Sequence, residues 1–257
     1  MQQQFLPKVG RYDFRAEPFH CDFRNQLFLG HLGNELLNAA DYHSSDRGYG
    51  MTYLMGIHRA WVLSRLAIEL KDIPHINEHF QVATWVENAL RYFTSRNFAI
   101  TDGGDKVFGY GRSIWAMINT TTRQPSDIFE IQNGIIQQYI ETDEPCPIAK
   151  PSRVKMDDAE WVRTINTNYC DVDINGHINS VKYIEHVLDL WDMAWYSHHH
   201  VKRLDVAYIA ESHQGDFLNF YMKEEAPLSF AVRIMKSASP EGEKTETCRI
   251  LLQFEKD

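Results

Sequence analysis

The sequence predicts an α+β protein organised as a pseudo-dimer, with two units in one chain and an antiparallel sheet wrapped around a long helix in each. Three observations predict it. Each half reads as one extended segment, one long apolar-periodic helix and then four strands. Residues 142–153 hold three of the nine prolines, Pro145, Pro147 and Pro151, a density that disfavours both helix and central strand. A helix followed by a meander of strands is most simply packed by the sheet that follows it. The expected organisation is 1–141 as one domain, 142–153 as linker and 154–257 as the second domain.

In the first half, 12–22 is an extended lead-in. From Leu27 to about Asn38, Leu29, Leu32, Leu36 and Leu37 recur at helical spacing, and Ala39 and Ala40 continue the face. The polar run from Tyr42 to Gly50 predicts that the helix ends or frays there. Strands are expected at Trp61–Leu70, Phe80–Val86, Tyr92–Thr101 and Val107–Asn119, and Asp102-Gly-Gly-Asp105 is a hairpin signal between the last two. In the second half, Trp161–Asn168 is extended. A helix is predicted from about Gly176 to Trp195, with Ile178, Val181, Ile184, Val187, Leu188, Trp191 and Trp195 on one broad face. Strands follow at Leu204–Ala210, Asp216–Met222, Leu228–Met235 and Thr247–Glu255.

Hydrophobic residues at 44% and charged residues at 24% suit a globular chain with a sizeable core. No apolar run reaches the ~18–20 residues of a membrane span. The N-terminus lacks the pattern of a signal or transit peptide, so a cytoplasmic protein is expected. Cys21, Cys146, Cys170 and Cys248 lie far apart and read as reduced thiols. The net charge of −9 argues against a general nucleic-acid binder. It also opposes an acidic partner unless basic side chains gather on one face, and Lys150, Arg153, Lys155 and Arg163, or Lys202 and Arg203, are the candidates. His198-His199-His200 lacks ligand spacing to a carboxylate or thiol and reads as a helix-end turn, so no metal and no cofactor are expected.

Chemistry is concentrated in Asn168 to Tyr183, where an extended segment gives way to the second helix. Capping accounts for one or two Asp or Asn residues there. It does not call for Asp171, Asp173, Asn175, His177 and Asn179 at every second position, with Tyr183 four residues on. Polar groups converging on helix-start N–H donors are how anionic intermediates are held. Placing Asp171 on Asp22 sets Arg24, Gln26 and Phe28 against Asp173, Asn175 and His177, which implies one active site per chain. Glu211 closes a predicted strand and is either an exposed turn acid or a second carboxylate of the site; Ile73 stands opposite it in the first half. Met51, Met55, Trp61, Trp85 and Trp115 either fill a core or line an acyl pocket.

Asp171-Val-Asp-Ile-Asn-Gly-His-Ile-Asn-Ser-Val-Lys-Tyr183 resembles the D-x-D-x-N-x-H-x-N-x-x-x-Y signature of the acyl-[acyl carrier protein] thioesterases. In the first half, Arg65-Leu-Ala-Ile-Glu69, Thr84-Trp85, Arg96-Asn-Phe-Ala-Ile100, Ser113-Ile-Trp115 and Asn119-Thr-Thr-Thr-Arg123-Gln-Pro125 are similar to that family as well. The resemblance implies a tandem hotdog of bacterial type, with an acyl pocket in the first domain and chemistry in the second. It implies hydrolysis of fatty acyl thioesters borne on the phosphopantetheine of an acyl carrier protein, with Asp173, Asn175, His177 and Glu211 as catalytic residues. Asn179, Tyr183, Ser212 and the five Met and Trp residues would contact substrate. Family members often carry Glu-Cys where this chain has Glu211-Ser212, so a thiolate nucleophile at this position is excluded and a water activated by Glu211 and His177 is expected. Other readings are an acyl-coenzyme A thioesterase, a hotdog dehydratase and a non-catalytic acyl-binding protein. The sequence leaves open whether the chain pairs into a homodimer.

Overall fold

The computed structural model describes residues 5–154, 156 and 158–257. The chain divides into two compact units, one of Met1–Ser64 with Lys71–Lys150, the other of Arg65–Leu70 with Pro151–Asp257. The first contains β1 (Gly10–Arg15), α1 (Leu29–Asp46), α2 (Met51–Gly56), β2 (Arg59–Leu70, whose last six residues belong to the second unit), β3 (His79–Ala89), β4 (Phe93–Thr101) and β5 (Val107–Asn119). Its strands lie in the order β1-β3-β4-β5-β2. The second contains β6 (Glu160–Asn166), α3 (Ser180–Leu188), α4 (Met193–Tyr196), β7 (His199–Tyr208), β8 (Phe217–Ala226), β9 (Ser229–Ser237) and β10 (Thr245–Lys256). Its order is β6-β8-β9-β10-β7, and residues 65–69 of β2 pair with β7. The two orders are the same, strand for strand, and the expected succession of strand, helix and four strands holds in both.

Helix α1 exists because Leu29, Leu32, Leu36, Ala39 and Ala40 form a buried stripe, and it packs on β3. It runs to Asp46 and so ends inside the polar run, as expected. The polar residues that predicted fraying are instead satisfied inside the fold: Ser44 Oγ donates to Ala40 O, and Arg47 Nη1 donates to His43 O, closing the last turn. The second helix is shorter than the predicted 176–195. It starts at Ser180 and stops at Leu188, and a new turn, α4, begins when Asp192 Oδ1 accepts the Trp195 N–H at 2.9 Å. His198 lies in the turn after α4. His199 and His200 open β7, with His199 Nδ1 bonded to Trp195 O and His200 Nδ1 to Asp257 Oδ1, so β7 begins five residues earlier than the apolar pattern suggests.

The second unit also buries an ionic knot. Arg203 holds Asp205 through two nitrogens, at 2.7 and 3.0 Å, and reaches Glu69 of β2 at 2.7 Å. Asp205 Oδ1 accepts the Ser152 N–H at 2.8 Å, so the segment after Pro151 is tied to β7. Glu69 is partly open to solvent, whereas breaking the buried Arg203–Asp205 pair from either side typically costs about 3–5 kcal/mol because its partner is left uncompensated. Arg203 is therefore no part of a carrier-docking patch.

Candidate active site

Residues 172–178 form a tight hairpin before α3. Val172 and Ile178 bridge, the Asp173 N–H donates to His177 O, and Gly176 takes a positive φ of 78° while its N–H returns to Asp173 O. Asp173 Oδ1 accepts the N–H of Asn175 at 2.8 Å and of His177 at 3.4 Å. Its carboxylate is thus spent on holding the turn. One residue beyond the hairpin, Asn179 caps α3, its Oδ1 accepting the Val181 N–H and its carbonyl the Lys182 N–H. This corrects the expectation that the polar run sits on the helix start. The run lies in a reverse turn, and the N–H groups of Val181 and Lys182 are already taken by Asn179.

The second segment of the site follows β7. Ser212 O accepts the Ile178 N–H at 2.9 Å, which fastens this loop to the hairpin. The consequence is that His177 Nε2 lies 3.4 Å from Glu211 Oε2, both side chains partly open to solvent. The imidazole and the carboxylate, 34 positions apart in sequence, share one place. Asn175 lies exposed on the same hairpin, two residues before His177. Two histidines escaped the sequence reading. His213 packs edge-to-face on His177 at 5.1 Å between ring centroids, and His186 of α3 bonds the buried Asp171 at 2.9 Å. The signal for His213 was its place two residues beyond Glu211. His186 had none short of knowing that α3 turns it toward Asp171.

Behind Glu211 the side chains are buried hydroxyls. Ser212 and Thr247 are fully enclosed and Tyr183 nearly so. Thr247 Oγ1 donates to Ala210 O at 2.5 Å and lies 3.2 Å from Ser212 Oγ and 3.4 Å from the Tyr183 hydroxyl. A hydroxyl has one proton, and a carbonyl can only accept. Thr247 has spent its proton on Ala210, so Ser212 donates to Thr247 and Tyr183 donates into the same pair of hydroxyls. Burial pushes the Tyr183 phenol up, which keeps it a donor. Tyr183 and Ser212 therefore brace the site from behind.

The first unit repeats this frame with other side chains. The Asp22 N–H donates to Gln26 O, Asp22 Oδ1 accepts the N–H of Arg24 and Gln26, Asn25 has φ 61°, Cys21 bridges Leu27, and the Leu27 N–H donates to Pro74 O. Asp22 thus corresponds to Asp173, two residues from the pairing expected, so Arg24 stands for Asn175 and Gln26 for His177. Ile73 stands for Glu211, as the sequence suggested.

Of the apolar candidates, Met51 and Met55 are exposed on α2. Trp61 packs against the cluster of Tyr49, Leu54, Val86 and Met117 and donates its indole N–H to Tyr49 O. Trp115 is half-buried and bonds Ser113 Oγ. Trp85 is fully enclosed and follows the alternation of β3 to the side opposite Val86. It does not share a wall with Trp61. Of the basic candidates, Lys202 pairs with Glu255, Arg163 donates to Asp189 O, Arg153 is exposed, and Lys155 lies outside the described residues. Among the described residues no group of three or more His, Cys, Asp or Glu could hold a metal, and no helix is long and apolar enough to cross a membrane.

The models of the acyl-ACP thioesterase N-terminal and C-terminal domains match residues 8–139 and 154–256. The chain belongs to the acyl-ACP thioesterase family. An acyl-ACP thioesterase from Bacteroides thetaiotaomicron is 48% identical, with a TM-score of 0.88 over 96% of this chain and 98% of that one. The 12:0-ACP thioesterase from Umbellularia californica, 18% identical over 99% of this chain and all of that one, has a TM-score of 0.82 and shares the fold. A chloroplastic palmitoyl-acyl carrier protein thioesterase of Arabidopsis thaliana is 31% identical over 135 residues, half of this chain and 32% of that protein. Against an oleoyl-acyl carrier protein thioesterase of the same plant the figures are 26% over 71% of this chain and 53% of the relative. The chain thus spans about a third to a half of the plant relatives it matches. The fold of this family member is a tandem hotdog.

Proposed function

We propose that this chain hydrolyses fatty acyl thioesters carried on acyl carrier protein, giving free fatty acid and carrier thiol in fatty-acid synthesis. The observation that carries the reading is the His177–Glu211 pair at 3.4 Å, present in the unit with the signature hairpin and replaced by Gln26 and Ile73 in the other. A thioester is activated enough for water. Glu211 and His177 take a proton from a water as its oxygen bonds to the acyl carbon. The carbonyl oxygen, now an oxyanion, is held by the Asn175 carboxamide. Collapse breaks the C–S bond, and the pair returns the proton to the departing thiolate. Asp173 acts on this chemistry through the hairpin it holds. Ser212 is not the nucleophile, because it is enclosed and gives its proton to Thr247.

On the same reading the first domain receives the acyl chain, with Met51, Met55, Trp61 and Trp115 as its contacts, and Asn179 and Tyr183 support the site without touching substrate. The four free cysteines accord with a reducing, cytoplasmic setting.

Thiol release across a panel of acyl-carrier substrates, with one acyl chain compared on carrier protein and coenzyme A, tests the assignment. Carrier-borne chains should turn over faster. Glu211→Gln and His177→Ala should each lower kcat by roughly 10²–10⁴-fold, and Ser212→Ala should be mild. An acyl-enzyme trapped on Ser212, or near-normal turnover without His177 or Glu211, would overturn the mechanism. Preference for coenzyme A would reassign the carrier.

A further inference from the structure

Because the two units share one frame, each side chain around Glu211 can be compared with the residue doing the same structural job where no chemistry is expected. The bulge in β10 falls at Thr247, between Glu246 and Cys248, and its carbonyl accepts the N–H of both Ile209 and Ala210. The bulge in β5 falls at Phe108, whose carbonyl accepts the N–H of Lys71 and Asp72 in the same way. Phe108 therefore corresponds to Thr247. By the same frame Leu32, in the fifth position from the helix cap Phe28, corresponds to Tyr183, and Pro74 to Ser212. Leu32, Pro74 and Phe108 are buried. The first unit thus builds the identical backbone on an apolar trio where the second encloses three hydroxyls.

Enclosing hydroxyls brings no advantage to the fold that the apolar trio lacks, since a polar group removed from water must recover its lost hydrogen bonds. What the hydroxyls add is directional. All three protons run toward the carbonyl of Ala210, the peptide that carries Glu211. A second addition acts on the next carbonyl: Lys236 Nζ donates to Glu211 O. In the first unit Asp102 stands at the place of Lys236, and its carboxylate accepts the N–H of Gly104 and Lys106 in its own hairpin. Together with the Ile178 N–H on Ser212 O, three successive carbonyls, 210, 211 and 212, each accept a donor from a different segment. Bulges commonly re-aim a side chain beside an active site, and here the bulge turns Thr247 onto that peptide.

We infer that Thr247 and Lys236 are positioning residues that fix the backbone of Glu211 and so aim its carboxylate at His177, with Tyr183 and Ser212 orienting the Thr247 hydroxyl. The inference rests on the hydrolytic reading above. Its consequence is a loss of turnover in variants that are fully folded. Thr247→Val keeps the shape and removes the proton. It should lower the thermal midpoint, because Ser212, Tyr183 and the Ala210 carbonyl lose their partner, and, at a temperature where the variant is fully folded, lower kcat at least ~10-fold with KM within about threefold, because small misplacements of a catalytic group are costly. Thr247→Ser, which keeps the hydroxyl, should restore kcat. Lys236→Met should behave like Thr247→Val, and Lys236→Arg should recover most of the loss.

The decisive experiment is steady-state thiol release from one acyl-carrier substrate, with a melting curve for each variant. Wild-type kcat in both Thr247→Val and Lys236→Met would overturn the inference. So would near-wild-type kcat in Tyr183→Phe/Ser212→Ala/Thr247→Val, which removes the three hydroxyls together as the first unit does and stands in should Thr247→Val not fold, or a kcat in Thr247→Ser no higher than in Thr247→Val. Absence of thiol release by the wild-type chain would instead sink the hydrolytic reading, so the two failures are distinguishable.

Discussion

His43 shows how much a single residue's surroundings decide. It lies on α1 fully enclosed, with Nε2 2.9 Å from Lys8 O and Nδ1 3.4 Å from the Tyr49 hydroxyl. A carbonyl only accepts, so Nε2 carries the proton and Nδ1 is the bare acceptor. Burial first, then the nearby charges of Arg96 and Arg47, hold its pKa down at about 2. A base depressed in the folded state and ordinary when unfolded contributes stability that is whole above pH 6.5 and is lost as pH falls below it. From pH 7 to pH 5 the loss from this one group should be about 2 kcal/mol. His43→Gln retains a donor for Lys8 and cannot titrate. Urea unfolding at the two pH values should therefore show a smaller acid loss in the variant by that amount, and an equal loss in both would mean that His43 is not held neutral.

At the scale of the element, the backbone of the hairpin 172–178 is a frame that carries the reacting side chains without dictating them, since the first unit makes it with Asp22, Asn25 and Gln26. Gly176 has a φ of 78°, and a Cβ added there meets nothing within 4 Å, so the cost of replacing it is conformational alone. Asn25 holds the corresponding place at φ 61°. Gly176→Asn should accordingly leave both stability and turnover near wild type. Gly176→Val, a β-branched residue forced into the left-handed region, should cost more than about 1 kcal/mol and lower turnover by shifting His177. Melting curves and thiol release on the pair check this, and equal behaviour of the two variants would refute it.

The same hairpin marks what the sequence makes legible. The order of strands, the two helices, and Asp173, Asn175, His177 and Glu211 as candidates could all be read from alternation, helical spacing and a dense polar run. The bounds of the second helix could not, because Asn179 caps it late and the turn capped by Asp192 interrupts a continuous apolar face. Nor could the part played by Thr247, a bulge residue in an otherwise ordinary strand whose partners lie 35 to 64 positions before it.

For the molecule as a whole, two copies of one frame raise the question of how many sites a chain carries. Duplication of a backbone does not duplicate its chemistry. At the first unit's counterpart of the site, Gln26 cannot act as a base, Ile73 has no charge, Arg24 puts a long cation where Asn175 would meet the carbonyl oxygen, and Leu32, Pro74 and Phe108 offer no proton to brace a carboxylate. Restoring function there would need the braces as well as the reacting groups. The chain should thus bind one equivalent of a non-hydrolysable acyl-pantetheine thioether. Calorimetric titration of the wild-type chain should give a stoichiometry near one, unchanged by Gln26→Ala and weakened by Asn175→Ala. A stoichiometry of two, reduced to one by Gln26→Ala, would show that the first frame still serves a ligand and that the division of labour drawn from its side chains is wrong.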